Sequence, residues 1–337
     1  MILDGIDLTK RRFLIAEIGN NHEGDASLAM EMVAAAAEAG ADAIKVQAIT
    51  PDRLVNISQS ERIVQLSKFK LSLETFQEMA QLARSKGSQF MASAFDLDSL
   101  DEIFDIISAV KIASSDLTFN PLVAAAAKKG KPLVISTGMG TIDEIQSTVR
   151  TVAENLPKGK TLEESLILLH CITSYPTPIA QANLNAMSTM KEMFPVTVGY
   201  SDHTLGIQAA TIAAALGARV IEKHFTLDKS RTTFRDHALS ADPEDFRQLA
   251  TIFHSLDDIL GNGEKVPMEC EIDNIVATRR SIVAAIDLPA DKVLQLSDLD
   301  FVRPAGGISP ADVDIVIGKR LRTALSKHTT IEKSHFA

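Results

Sequence analysis

The sequence predicts a (β/α)8 barrel followed by a small β-rich unit, on three observations. Eight short apolar runs alternate with helical patterns over about 250 residues. The runs lack the in/out alternation of a one-faced sheet, as strands covered on both sides do. Past about residue 262 the alternation stops, and Pro, Gly and short strands replace it.

The predicted strands are "FLIAEI" (13–18), "AIKVQ" (43–47), "QFMAS" (89–93), "AVKIAS" (109–114), "LVIST" (133–137), "LILLHC" (166–171), "VTVGYS" (196–201) and "RVIEKH" (219–224). Helical patterns lie between them. "ASLAMEMVAAAAEAG" puts Leu28, Met32 and Ala35 on one stripe, with Gly40 placed to end the helix. The segments 73–87, 120–130, 141–156 and 205–218 follow the same plan, and 243–261 closes the series. A doubly wound open sheet is the runner-up, but it would want a Gly-rich dinucleotide turn. "GNNHEGD" after the first strand is not one. The boundaries are therefore 1–265 for the barrel, 266–280 for a charged connector and 281–337 for the C-terminal unit.

Bulk composition excludes several classes. A net charge of −10 over 337 residues argues against nucleic-acid or membrane-surface binding. No run of about 18 apolar residues suggests a membrane span. The N-terminus lacks the apolar core of a signal peptide, so a cytoplasmic protein is expected. Cys171 and Cys270 fit no zinc spacing and are expected to be buried free thiols.

Barrel chemistry lies at the C-terminal strand ends. Here those ends carry Glu17, Lys45 with Gln47, Ser93, Lys111 with Ser114, Ser136, His170 with Thr173 and Tyr175, Ser201 with His203, and Glu222 with Lys223 and His224. Polar groups interrupt the apolar runs themselves. A lysine inside a strand needs an anion, because an unpaired buried ammonium is costly. Strands 7 and 8 of a barrel are neighbours, so His203 and His224 would project into one mouth. Two such imidazoles can hold a divalent metal and leave positions open. Each histidine alone is more often a hydrogen-bonded structural residue; the pair on adjacent ends reads equally as ligands. Ser114, Ser136 and Ser201 with Lys111 read as an anion cradle, or as the hydroxyls common in such loops. Glu17 and Glu222 read as proton-transfer groups, or as ion-pair partners of Lys45 or Lys223.

The motifs "AEIGNNHEGDASLAMEMVAAAAEAGADAIKVQ", "VKIASSDLTFNPL", "VISTGM", "HCITSYPTP", "VGYSDHTLG" and "IEKHFTL" resemble, in that order, the sialic acid synthase family. "RRSIVAAIDLPAD", "VRPAGGISP" and "IGKRL" look like the antifreeze-like (SAF) domain that ends its members. The resemblance implies condensation of phosphoenolpyruvate with an N-acylated hexosamine to a nine-carbon 2-keto sugar acid and phosphate. It implies that Ser93, Lys111, Ser114, Ser136, Thr173 and Ser201 bind phosphoenolpyruvate. Gln47, Tyr175, Asp236 and Arg303 would bind the sugar, and Glu17, Lys45 and Glu222 would be catalytic. His203 and His224 would hold a divalent cation, Mn2+ first, with Mg2+ or Co2+ as substitutes. Arg303 would come from the partner of a domain-exchanged homodimer.

The chain departs from the family pattern at several points. Ser93 and Ala94 stand where Thr-Pro is common, and Thr173 where many members carry Asn. "KSRTTFRDHALS" lacks the usual Gly-Pro before Asp236, and "LPADKVLQ" and "ALSKHTTIEK" lack expected turn glycines. The acceptor therefore stays open between N-acetylmannosamine, a diacetamido precursor of legionaminic- or pseudaminic-type acids, and another aldose. Two rival readings remain. One is an aldolase with a Schiff-base lysine, Lys111 or Lys223. The other is a non-catalytic sugar-acid-binding relative.

Overall fold

Side-chain parity along each strand decides what fills the barrel and what faces its helices. A computed structural model describes residues 1–3, 5–232 and 235–336. The chain divides into two compact units, 1–261 and 262–337. Ala337, the last residue of the expected C-terminal unit, lies outside the described residues.

The first unit opens with a short antiparallel hairpin, β1 (Ile2–Leu3) and β2 (Ile6–Asp7). Eight parallel strands then close into a barrel. They are β3 (Phe13–Gly19), β4 (Ala43–Ala48), β5 (Gln89–Ala94), β6 (Val110–Ile112), β7 (Leu133–Ser136), β8 (Leu166–Cys171), β9 (Thr197–Asp202) and β10 (Val220–His224). β10 pairs with both β9 and β3, so the strands carrying the two histidines are neighbours. The expected (β/α)8 architecture is present.

The layers follow from a period of two. Phe13 and Ile15 of β3 join Ala43, Met91, Val134, Ile167, Leu169 and Val220 in the barrel interior, with Leu3 and Leu8 from the N-terminal segment. Leu14, Ala16 and Ile18 face the other way, into the layer between strands and helices. The next inward positions beyond the apolar interior layer are Glu17, Lys45, Ser93, Lys111 and Glu222. The apolar interior is thus confined to one end of the barrel, and the other end is polar.

The helical layer comprises α1 (Ala26–Glu38), α2 (Pro51–Leu54), α3 (Ser60–Ser67), α4 (Leu73–Ser85), α5 (Leu97–Ile103), α6 (Asn120–Lys129) and α7 (Ile142–Asn155). It continues with α8 (Leu162–Ser165), α9 (Ala186–Met193), α10 (Gln208–Ala215), α11 (Arg235–Leu239) and α12 (Pro243–Leu260). Starts and stops are chemically marked. Asp25 caps α1 by accepting from the Ser27 and Leu28 amides. Thr141 and Glu144 form a capping box on α7. Gly130 ends α6 at φ 76°, a conformation glycine adopts without Cβ strain. The long α12 begins at Asp242-Pro243, with the Asp side chain accepting from two first-turn amides. No helix among the described residues is long and apolar enough to cross a membrane.

The second unit holds α13 (Ile272–Thr278), within the segment expected as a connector, and one antiparallel pair, β11 (Ser281–Ala284) with β12 (Leu299–Val302). Single bridges extend the pairing, as at Val283–Thr330, Leu288–Leu325 and Val293–Arg320. Ile282, Leu294, Val316, Leu321 and Ile331 form its core. The two turns that lack expected glycines place Asp291 and His328 at φ 66° instead. Asp and His are among the side chains that most often adopt this region. One cysteine expectation is corrected: Cys171 is buried, but Cys270 is exposed. Cys270 lies in a polar segment just before α13, with no apolar layer to enter.

Candidate active site

Two carboxylates and two ammonium groups, all buried, occupy the inward positions at the polar end of the barrel. Cross-strand register sets them side by side: Glu17 faces Lys45, Ser93 faces Lys111, and Glu222 faces Ser201. Lys45 Nζ lies 2.6 Å from Glu17 Oε2 and 3.7 Å from Glu222 Oε2, and it donates to Ser93 Oγ at 3.2 Å. Ser201 donates to Glu222 Oε1 at 2.9 Å. Gln47 donates to Glu17 and in turn accepts from Asn20. Lys111 is held differently. It donates to its neighbour's carbonyl, Ile112 O, at 3.3 Å, and stands 3.7 Å from Glu222 Oε1.

These environments push like groups apart. Burial raises the pKa of Glu17, and the Glu222 charge adds to this against the pull of Lys45. Burial acts the same way on Glu222, but Lys111, Lys45 and the Ser201 bond outweigh it, and its pKa falls. Burial opposes charge on both lysines. Glu17 and Glu222 nevertheless hold Lys45 above the ordinary lysine value, whereas Lys111 falls below it. Lys111 is thus the lysine whose charge is least compensated by its neighbours.

Beside it lies a set of hydroxyls. Ser136 Oγ and Thr173 Oγ1 are buried without a hydrogen-bond partner among the described residues. The Gly138 amide donates to Ser114 Oγ at 3.0 Å. A Cβ on Gly138 would lie 2.3 Å from Thr173 Oγ1 and 2.8 Å from Ser114 Oγ, so glycine is what lets these three loops converge. Buried hydroxyls without partners next to an under-compensated ammonium can bind an anion.

His203 and His224 adjoin this set. Their ring centroids are 5.3 Å apart, and the Tyr175 ring lies 4.2 Å from that of His203. His203 Nδ1 is 2.8 Å from Ile172 O. A carbonyl can only accept, so Nδ1 carries the proton and Nε2 keeps its lone pair. Cys171 Sγ is 3.6 Å from the same nitrogen. Burial works against charge on His203, yet Cys171 and the Ile172 carbonyl raise its pKa. Burial and nearby positive charges hold His224 well below the ordinary value, so that ring is neutral. Its Nδ1 is buried without a hydrogen-bond partner among the described residues. Two imidazole nitrogens with available lone pairs fit a divalent cation. No group of three or more His, Cys, Asp or Glu side chains among the described residues could hold a metal. A cation here would therefore take two protein ligands and leave its other positions to water and substrate oxygens.

A cavity of about 830 Å³ opens over these groups, lined among others by Gln47, Ser114, Thr173, Tyr175, His224 and Asp236. Its outer wall comes from the segment carrying α2 and α3, through Leu54, Arg62, Gln65, Leu66 and Phe69. The Asp236 segment is anchored from β3's loop. Asn21 donates to Phe225 O and Ser240 Oγ, and Ser240 donates to Asp236 O. His237 bridges Thr226 Oγ1 and Glu23 Oε1. Phe234, at one of the positions where the family's Gly-Pro is missing, lies outside the described residues.

The barrel residues expected at the site thus meet at one end. Arg303 belongs to the second unit, exposed just past β12. Two readings are corrected. Lys223 is not a partner of Glu17 or Glu222. It is fully buried on the opposite face and pairs with Asp202, so it is sealed away from any imine chemistry in the mouth. Glu17 and Glu222 are instead both partners of Lys45. His170 is a structural residue, bonded to Ala182 O and stacked on Tyr200. Sequence reasoning missed Gly138, the α2–α3 wall and the Asn21 anchor. A glycine directly after the hydroxyls of "ISTG" was an available signal of close approach. The wall gave none, because helices of one or two turns show little periodicity.

Known proteins place these observations. The model of the NeuB family matches residues 32–265, and that of the SAF domain matches 279–337. An N,N'-diacetyllegionaminic acid synthase of Legionella pneumophila is 39% identical over 96% of this chain and 94% of its own. A pseudaminic acid synthase of Campylobacter jejuni is 32% identical over the full length of both. A sialic acid synthetase from Leptospira borgpetersenii, solved with citrate, superposes with a TM-score of 0.75 at 33% identity. That match covers 82% of this chain and 94% of the other.

Proposed function

The chain belongs to the NeuB family and ends in a SAF domain, and from that premise we propose that it condenses phosphoenolpyruvate with an N-acylated hexosamine. The products are a nine-carbon 2-keto sugar acid and phosphate. The observation that carries this reading is the junction of the His203–His224 imidazole pair with Lys111 and the partnerless hydroxyls of Ser136 and Thr173.

Lys111 with Ser93, Ser114, Ser136, Thr173 and Ser201 would bind the phosphate and carboxylate of phosphoenolpyruvate. Gln47, Tyr175 and Asp236 would hold the acceptor in its open aldehyde form, and Arg303 of a second copy would reach its N-acyl group in a domain-exchanged homodimer. His203 and His224 would hold a divalent cation, Mn2+ first and Mg2+ or Co2+ as substitutes, which would supply Lewis-acid polarisation of the acceptor aldehyde. C3 of phosphoenolpyruvate attacks the aldehyde carbon, leaving an oxocarbenium at C2. Water adds at C2, and the tetrahedral intermediate expels phosphate with cleavage of the C2–O bond, the leaving phosphate taking the proton of the new C2 hydroxyl as the ketone forms. Glu222, held ionised by Lys111 and Lys45, takes the proton from that water. Glu17, which burial pushes toward its protonated form, gives a proton to the acceptor alkoxide and is reprotonated from Glu222 through Lys45, which lies between the two carboxylates.

The test is phosphate release from phosphoenolpyruvate with a panel of N-acyl hexosamines and Mn2+. Expected are release only with an acceptor present, loss with a chelator, and appearance of a bridging 18O label in the phosphate. No release with any acceptor would favour a binding protein that kept the fold. The depressed pKa of Lys111 is also what an imine-forming lysine needs. Borohydride with the keto acid is therefore the control, and a trapped adduct at Lys111 would replace this mechanism.

A further inference from the structure

The side chains that precede the two imidazoles in sequence point the other way and meet each other. Asp202 and Lys223 are cross-strand partners in β9 and β10. Their side chains are fully buried, and Lys223 Nζ lies 3.0 Å from Asp202 Oδ2. The same ammonium donates to Thr204 O at 2.5 Å. Asp202 Oδ1 accepts the Thr204 amide at 2.9 Å and Tyr200 Oη at 3.3 Å. One ion pair therefore grips the backbone of Thr204, directly after His203, while its aspartate directly precedes His203 and its lysine directly precedes His224.

Such a pair is a poor device for stability. Desolvating both charges offsets most of their attraction, and apolar residues of similar volume often fold as well or better. What a buried pair of this kind contributes is fixed geometry, because every remaining donor and acceptor must be matched. His224 also needs an external constraint. His203 is oriented by its own bond to Ile172 O, whereas His224 Nδ1 has no hydrogen-bond partner among the described residues.

We propose that Asp202 and Lys223 are positioning residues that fix the spacing of His203 and His224 for a divalent cation, without touching it. This rests on the metal reading above. Each strand presents one imidazole inward and one member of the ion pair outward, so sliding one strand against the other would break the pair and separate the ligands together.

The experiment measures Mn2+ affinity of the full-length protein by electron paramagnetic resonance of free Mn2+, beside thermal melting. The double variant Asp202→Leu/Lys223→Met leaves no unpaired charge and is expected to melt cooperatively. Its Mn2+ affinity should fall at least about tenfold, the low end for residues that orient metal ligands. Should it fail to fold, Asp202→Glu keeps the charge, displaces the carboxylate by one methylene, and should show the same loss. Mn2+ affinity within about twofold of wild type in a folded variant overturns the proposal, since a merely structural pair would change only the melt. Wild-type protein that binds no Mn2+ overturns the metal reading itself, and the proposal with it.

Discussion

Lys111 Nζ stands 3.7 Å from Glu222 Oε1, beyond hydrogen-bond reach, although both side chains are buried in the barrel. The gap leaves an ammonium that Glu222 stabilises only in part, and burial lowers its pKa below the ordinary lysine value of 10.5. If this charge binds phosphoenolpyruvate, KM for that substrate should rise as pH climbs through the lowered pKa, before an exposed lysine would titrate. The ligand-free fold follows the opposite sign. Its unfolded form keeps the lysine proton longer, so the Lys111 contribution to stability grows over the same window. Lys111→Met should raise KM for phosphoenolpyruvate at least about tenfold, the cost of losing a hydrogen bond to a charged group. A KM that stays flat until an exposed lysine would titrate would remove Lys111 from the anion site.

The imidazole pair makes a separate prediction. His224→Ala should cut Mn2+ retained after dialysis and lower turnover by at least about a thousandfold, because Lewis-acid stabilisation is worth several kcal/mol. The barrel should still melt cooperatively, since His224 lies at a strand end, in the polar mouth rather than in the apolar layers. Undiminished turnover in this variant, with metal stripped by a chelator, would show that the imidazoles serve structure alone.

Gly138→Ala tests the convergence of three loops. The new Cβ would sit 2.3 Å from Thr173 Oγ1 and 2.8 Å from Ser114 Oγ, so either these hydroxyls or the loop must shift. Stability should fall by about 1–3 kcal/mol, as overpacking usually costs. KM for phosphoenolpyruvate should rise at least about tenfold while the acceptor KM changes little. Adding Thr173→Ala removes the nearer contact but leaves Ser114 Oγ at 2.8 Å, and should recover part of the stability without recovering affinity. Normal KM in the single variant would mean that the loop does not line the anion site.

The contrast between Lys45 and Lys223 shows what the sequence made legible. Both lysines interrupt an apolar run, and both need an anion. Parity separates them: Lys45 shares a face with Gln47, in the mouth, while Lys223 alternates with Glu222 and His224 and must face outward. That much could be read from spacing two. Its partner Asp202 could not, because the β9–β10 register is set by barrel closure rather than by either strand alone. The same reason hid the 3.7 Å gap at Lys111, which is a distance between strands. The eight strands themselves were legible because each is a continuous apolar run ending in polar groups. The α2–α3 wall was not, because its shape depends on the cavity it covers.

Arg303 carries the prediction about the acceptor. It is exposed just past β12. Arg303→Ala should raise the acceptor KM at least about tenfold and leave that of phosphoenolpyruvate near wild type. Mixing Arg303→Ala with His224→Ala subunits should restore part of the activity, since each mixed dimer would contain one site with both residues intact. Equal effects on the two substrates, or no recovery on mixing, would remove Arg303 from the acceptor site or from the partner's contribution.

His22 yields a prediction about acid stability that is independent of catalysis. Its ring is buried, and Nδ1 accepts the Gly24 amide at 3.0 Å. Burial lowers its pKa from 6.5 to about 4. Between those values the unfolded chain binds a proton that the folded chain refuses, so stability falls as pH drops from about 6.5 toward 4. The loss from this group approaches about 3 kcal/mol, at about 1.4 kcal/mol per pKa unit. His22→Asn can keep the bond, because an Asn side chain accepts from the amide two residues on, but it does not titrate. Urea unfolding at several pH values should show the wild type losing stability faster than the variant across this interval. Curves that stay parallel from pH 7 to pH 4 would show that His22 charges within the fold at no cost.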